Sequence, residues 1–233
     1  MTSSELFDRL ISILLPQRCV ICGELVEYED YWCEKCGTAE EVPYTRLGQI
    51  SCEIPHSFAG AIAAIEYSAQ SRQMILRLKS QGDRRIIQFF ANEMSAVITQ
   101  HWDDIRFELI VPVPSSTGKL KDRGFNQAER LARYLGKSIG VAVQSEALMR
   151  HENTQSQQGL SAQERRDNAE KSYDIGKCAS YTTGKVVLLV DDVFTTGSTA
   201  AACAEKLLNA GAQNVYIVTA AHQKQLADDN DSL

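Results

Sequence analysis

The chain has 233 residues, 44% of them hydrophobic, so it can bury a full core and is not disordered along its whole length. Lys and Arg number 24 against 30 Asp and Glu, a net charge of −6, which argues against a domain that holds duplex DNA by bulk positive charge. Seven cysteines, an odd count with no basic leader segment ahead of them, argue against a secreted disulfide scaffold.

In chain order, Leu6, Leu10, Ile13 and Leu14 fit one face of a short amphipathic helix over residues 1–18. That stretch is broken by charges and too short to span a bilayer, so a cytoplasmic protein with no membrane insertion is expected. Residues 19–56 hold five of the cysteines and aromatic-rich turns at Tyr28, Tyr31 and Trp32, with few long apolar runs. Such a segment cannot build a core alone. It is grouped with the first helix as an N-terminal annex, 1–56, ahead of a main domain, 57–226, and an acidic tail, 227–233.

The main domain alternates strands and helices. Strands are expected over 59–67, 107–113, 141–143, 185–190 and 215–219. Helices are expected over 71–79 and 86–100, parted by Gly82, over 126–135, stopped by Gly136, and over 199–209, stopped near Gly211. The polar stretch 144–184 carries no clear element. The alternation predicts an α/β fold with a parallel sheet flanked by helices.

Two motifs carry chemistry. The first is the paired C-x-x-C of Cys19 and Cys22 with Cys33 and Cys36. Each pair can place two thiolates on one tight turn, and four thiolates complete the tetrahedral shell that Zn²⁺ prefers. Metal binding would substitute for the missing core of a zinc-ribbon-like annex, and a closed shell would be structural. A redox pair or unrelated buried cysteines are the alternatives. Cys52 and His56 could replace a member of the set, while Cys178 and Cys203 read as small apolar residues.

The second motif is Val187–Thr199, V-L-L-V-D-D-V-F-T-T-G-S-T. An apolar strand ends in two carboxylates, a hydroxyl-rich turn with one glycine follows, and then a helix begins. Ligands bind beyond the carboxyl ends of strands in open α/β sheets. Free N–H groups at the turn and helix start, with the hydroxyls of Thr195, Thr196, Ser198 and Thr199 beside Gly197, can wrap a phosphate dianion. Asp191 and Asp192 can accept hydrogen bonds from vicinal sugar hydroxyls, so the combination describes a site for a 5-phosphorylated ribose. The plainer alternative is a helix capped by Ser198 or Thr199.

The segment 187–199 resembles the 5-phosphoribosyl-1-pyrophosphate (PRPP) signature of type I phosphoribosyltransferases. Three further segments are similar to the ComF family, which is linked to natural competence and DNA uptake. These are Val111–Pro114 followed by Arg123-Gly124-Phe125-Asn126-Gln127; Arg150 with Thr154, Gln157, Leu160, Arg165 and Asn168; and the cysteine pairs. The resemblance spans Cys19 to His222, and it departs from many family members in lacking a further cysteine pair near Cys52.

The resemblance implies the type I phosphoribosyltransferase fold and a pyrophosphate-holding loop over 112–118, including Pro112, Val113, Pro114 and Ser115. Lys119, Lys121 and Arg123 follow that loop and are either pyrophosphate ligands or a solvated helix face. Residues 150–170 correspond to a mobile hood, with Arg150 and Arg165 as candidates to neutralise pyrophosphate, or are simply a surface loop. Arg77, Lys79, Arg84 and Arg85 form a second cationic group, in which Lys79 matches a family lysine.

The implied reaction is Mg²⁺-dependent displacement of pyrophosphate from PRPP by an unidentified nitrogen acceptor, with Asp191 and Asp192 as catalytic residues. The competing reading is a non-catalytic PRPP sensor, or a component that binds single-stranded DNA or a competence-machinery protein. The cationic groups and the zinc annex would carry that second role.

Overall fold

The structure is a computed structural model that describes residues 17–27, 30–37, 44–52, 56–151 and 169–224. Residues 1–16 of the helix expected over 1–18, the acidic tail and most of 150–170 lie outside the described residues, while Gln17 and Arg18, expected to end that helix, form a strand. Arg165 is among those not described.

Two short strands, β1 (Gln17–Arg18) and β2 (Leu25–Val26), form a small antiparallel ribbon around the first cysteine pair. β3 (Arg46–Gln49), assigned to the 1–56 segment on sequence grounds, pairs antiparallel with β4 (Gly60–Glu66) of the main sheet. Helices α1 (Ala69–Gln81) and α2 (Arg84–His101) follow, and Gly82 separates them as expected. Next come β5 (Leu109–Pro112), α3 (Thr117–Arg123) and α4 (Gln127–Ile139). A hairpin of β6 (Leu148–Arg150) and β7 (Tyr173–Ile175) leads to β8 (Val186–Phe194), α5 (Ser198–Asn209) and β9 (Asn214–His222).

The main sheet runs β3-β4-β9-β8-β5, parallel except for β3 at its edge. β8 and β9 read as near-continuous apolar runs because helices cover both faces. Alternation along β8 divides the core. Leu188 and Val190 pack with residues of α1, α2 and α4, such as Leu78, Phe90 and Leu131. Val187 and Leu189 pack on the other face with Ala200, Cys203 and Leu207 of α5. Among the described residues no helix is long and apolar enough to cross a membrane.

Three expectations change. α4 runs through Gly136 to Ile139, with Gly140 as its C-cap. A Cβ at Gly136 would meet the carbonyl oxygen of Val141 at 2.7 Å, so the glycine permits close approach of the chain and does not stop the helix. The stretch 141–143 forms only an isolated bridge, Val143 with Ile110. The loop expected over 112–118 is shorter, because Ser116 caps α3 and helix begins at Thr117.

Candidate functional site

β8 continues through both carboxylates to Phe194, four residues beyond the expected end of the strand. Period-2 alternation therefore sends Asp191 and Asp192 to opposite faces. Asp192 faces the α1–α4 side and is 6% exposed. Lys79 Nζ of α1 lies 3.2 Å from its Oδ2, and Gln127 Nε2 of α4 donates to the same oxygen at 3.0 Å. Both contacts fall on Oδ2. Asp191 lies on the α5 side, where burial, followed by the neighbouring Asp192 carboxylate, pushes it up to about 7. The Asp192 backbone N–H, Lys79 and Lys119 pull the other way.

Beyond β8 the turn Thr195–Gly197 leads directly into α5. Gly197 is the N-cap at φ 85° and Thr196 Oγ1 accepts from the Ser198 N–H at 3.3 Å, which overturns the plain reading of a cap by Ser198 or Thr199. Thr196 Oγ1 and Ser198 Oγ lie 2.8 Å apart, and Asp191, Thr195, Thr196, Ser198 and Thr199 line a small cavity at the helix start. Open N–H groups, a positive helix end and hydroxyls make an anion cradle. A Cβ at Gly197 would sit 2.5 Å from Cys52 Sγ and 2.8 Å from Phe194 Cζ, so the turn requires glycine for both conformation and space.

Because β5 and β8 are parallel neighbours, the Val113–Ser116 loop meets the cradle at one edge of the sheet. Val113 N–H donates to the Val190 carbonyl at 2.9 Å. The R-G-F-N-Q segment fastens this loop. Asn126 Nδ2 donates to the Val113 carbonyl at 2.9 Å, and its Oδ1 accepts from Ser115 Oγ and Ala128 N–H, both at 3.1 Å. Phe125 lies under the Arg130 guanidinium at 3.9 Å, while Gln127 reaches Asp192. Arg123 Nη1 stands 3.5 Å from Gln127 Oε1.

Cations converge on the same edge. Burial lowers Lys119, and the adjacent charges of Arg150, Arg123 and Lys79 lower it further, while Asp192 opposes them. Arg150, at the end of β6, lies 5.1 Å over the Tyr173 ring, and its buried Nε has no hydrogen-bond partner among the described residues. A bound anion would relieve both. The cationic group at 77–85 instead divides. Lys79 faces Asp192, whereas Arg77 donates to the Cys19 carbonyl at 2.7 Å and Arg85 donates to the Arg18 carbonyl at 3.1 Å. Arg85 also donates to the Asp30 carbonyl. Two of these four cations therefore hold the annex.

The sulfurs of Cys19, Cys22, Cys33 and Cys36 all lie within 4.8 Å of one another, and the Cys22–Cys33 pair is 3.6 Å apart. Tetrahedral Zn–S bonds of about 2.3 Å would set sulfurs ~3.8 Å apart, so the set is compatible with a structural zinc ion. Burial pushes Cys36 up, and the neighbouring thiols of Cys22 and Cys33 add to it. For Cys19 burial acts in the same sense, yet the backbone N–H groups of Cys22, Cys33 and Ile21 bring it down to about 7. A divalent cation removes this conflict by binding four thiolates. Cys52 lies elsewhere, its Sγ 3.7 Å from the Thr196 carbonyl, and His56 stacks on Phe58 at 3.8 Å. Among the described residues neither joins the cluster.

The structure brings the expected acidic pair, hydroxyl-rich turn and Pro-rich loop to one end of the sheet and the four cysteines into one cluster. Sequence reasoning gave no role to Gln127 or Asn126, although their motif was visible, and Lys79 had no local signal tying it to Asp192.

Residues 120–232 match the family model described as the phosphoribosyl transferase domain. The chain is 27% identical over 202 residues to the DNA utilization protein YhgH of Salmonella typhimurium, covering 85% of this chain and 87% of that protein. It is 32% identical over 110 residues to Competence protein F of Haemophilus influenzae, covering 47% of this chain and 48% of the relative. It is 30% identical over 145 residues to Competence protein ComFC of Bacillus subtilis, covering 62% of this chain and 56% of the relative. The match to the Haemophilus protein therefore spans about half of that relative's length.

Proposed function

The chain belongs to the ComF family of phosphoribosyltransferase-like proteins, with the type I phosphoribosyltransferase fold, and on that premise we propose that it binds PRPP with Mg²⁺ and transfers the phosphoribosyl group to a nitrogen acceptor. The observation that carries the reading is a hydroxyl-rich turn and glycine-capped helix start, set beside an acidic pair and a crowd of cations.

In this reading the 5-phosphate occupies the turn Thr195–Thr199, and the ribose hydroxyls bond to Asp191 and Asp192. The diphosphate lies against Pro112–Ser115, with Arg123, Arg150 and Arg165 as its cationic partners. The acceptor nitrogen forms a bond to the anomeric carbon as the C–O bond to pyrophosphate breaks, the diphosphate leaves with the bonding electrons, and the acceptor's proton passes to water. Positive character gathers on the sugar ring, and the negative charge at this end of β8 would oppose it. Mg²⁺ bound with PRPP would neutralise charge on the departing diphosphate, and Asp191 and Asp192 are hard oxygen donors of the kind that suit it. Zn²⁺ would be held by Cys19, Cys22, Cys33 and Cys36 and would serve only to fold the annex.

The names of the relatives, Competence protein F and DNA utilization protein, support a role in DNA uptake, with a competence-machinery protein as partner. The engagement of Arg77 and Arg85 with the annex weakens the single-stranded DNA reading. A cytoplasmic location agrees with the use of PRPP.

Purified protein with Mg²⁺, PRPP and a panel of amines and bases should release pyrophosphate, and Asp191→Asn should abolish the release. Calorimetric titration with Mg–PRPP runs in parallel. Binding without release from any acceptor would sink the transferase reading, and no binding would sink the PRPP site itself.

A further inference from the structure

The annex and Asp192 contact the same helix from two sides. Arg77 and Lys79 stand two residues apart near the end of α1, so at ~100° per residue their side chains leave well-separated faces. Leu78 between them is fully buried. On one side Arg77 donates to the Cys19 carbonyl at 2.7 Å and pairs with Asp83 Oδ2 at 2.7 Å. Asp83 in turn caps α2 by accepting from Arg85 N–H at 2.9 Å. On the other side Lys79 Nζ meets Asp192 Oδ2 at 3.2 Å, with side-chain exposures of 30% and 8%. The helix end is pinned by Arg130, which donates to the Gly82 carbonyl at 3.0 Å.

We propose that Lys79 is a positioning residue for Asp192, and that the cysteine annex sets the position of Lys79 through Arg77 and α1. A lysine stem is long and flexible, and its ammonium is free to move into water unless its helix is held. Arg77 supplies that hold at the last turns of α1, where the guanidinium ties the backbone of the first cysteine turn to the start of α2. The annex is then part of the ligand site without touching ligand. The ligand readout below rests on the PRPP reading of Asp192, and the labelling readout does not.

The test uses the full-length, zinc-loaded chain. Reductive methylation followed by mass spectrometry reports how freely Lys79 leaves Asp192 in ligand-free protein, with exposed Lys137 as the control. Arg77→Gln should speed Lys79 labelling by about threefold, as expected when a partly shielded ion pair opens, with Lys137 unchanged. Asp83→Asn is the milder companion, since asparagine keeps the cap oxygen and loses only the charge facing Arg77. It decides the matter if Arg77→Gln does not fold.

In Mg–PRPP titrations Lys79→Met should weaken binding about tenfold, and Lys79→Arg should restore most of it. Adding Arg77→Gln to Lys79→Met should weaken binding no further, because both changes act through one ammonium. An unchanged Lys79 labelling rate in both Arg77→Gln and Asp83→Asn overturns the proposal, as does full additivity in the double variant. If the wild type does not bind PRPP, that failure belongs to the PRPP reading, and the labelling result alone judges the strut.

Discussion

Burial and the Asp192 carboxylate push Asp191 up to about 7, although the two residues are adjacent in sequence and differ by one step on the strand. An acid with a raised native value binds its proton more readily folded than unfolded. Stability should therefore fall as pH rises from the ordinary 3.8 toward about 7, and the full penalty stands above that. Asp191→Asn removes the charge and keeps the shape. It should stabilise the protein by about 1–2 kcal/mol at pH 8, with a gain that shrinks toward pH 4. Urea melts at the two pH values check this, and a gain independent of pH would show that ionisation of Asp191 is not its source. The sequence announced the pair through its place at the end of an apolar strand. It could not tell the two carboxylates apart, because their difference lies in Lys79 and Gln127, 113 and 65 positions away from Asp192, as numbered in the chain.

At the level of elements, the R-G-F-N-Q segment acts as a clasp between α3, α4 and the Val113–Ser116 loop. Asn126 performs two tasks with two atoms: Oδ1 caps α4, and Nδ2 holds the Val113 carbonyl. Asn126→Ala should cost about 1–3 kcal/mol, combining a lost cap with a lost hydrogen bond. Asn126→Asp keeps the capping oxygen and loses the donor. It should lose less stability than Asn126→Ala, because the cap remains and only the bond to the Val113 carbonyl goes, while Mg–PRPP binding weakens about tenfold. A stability loss in Asn126→Asp as large as in Asn126→Ala would rule out separate tasks for the two atoms. Element existence was legible here because hydrophobic periodicity and turn residues are local. Element ends were less so. β8 ran on through two aspartates because β9 supplied ladder partners as far as Phe194, and α4 ran through Gly136 because Val141 needed the space.

For the molecule as a whole, the annex is joined to the main domain by Arg77, Arg85 and an aromatic cluster in which Trp32, Tyr31 and Tyr44 surround Phe89 of α2. The chain should bind one equivalent of zinc. Removing it with a chelator, or by Cys22→Ser, should release this cluster while the main domain stays folded. In a Trp102→Phe background, emission from Trp32 should shift to the red on zinc removal, and far-ultraviolet circular dichroism should barely change. Global unfolding would mean that the annex is integral to the main core. Cooperation between these parts is a property of the folded chain alone.

The amino-acid sequence by itself determined the α/β class, the four-cysteine set and the strand–turn–helix cradle, since each depends on spacing within about twenty residues and on local backbone chemistry. Tertiary structure alone decided that Asp191 and Asp192 face different surroundings. It also decided that Gln127 and Lys79 converge on one oxygen, and that half of an apparent anion-binding group holds the annex. Those outcomes depend on which helices cover which face of the sheet, and burial and charge act through space without regard to distance along the chain.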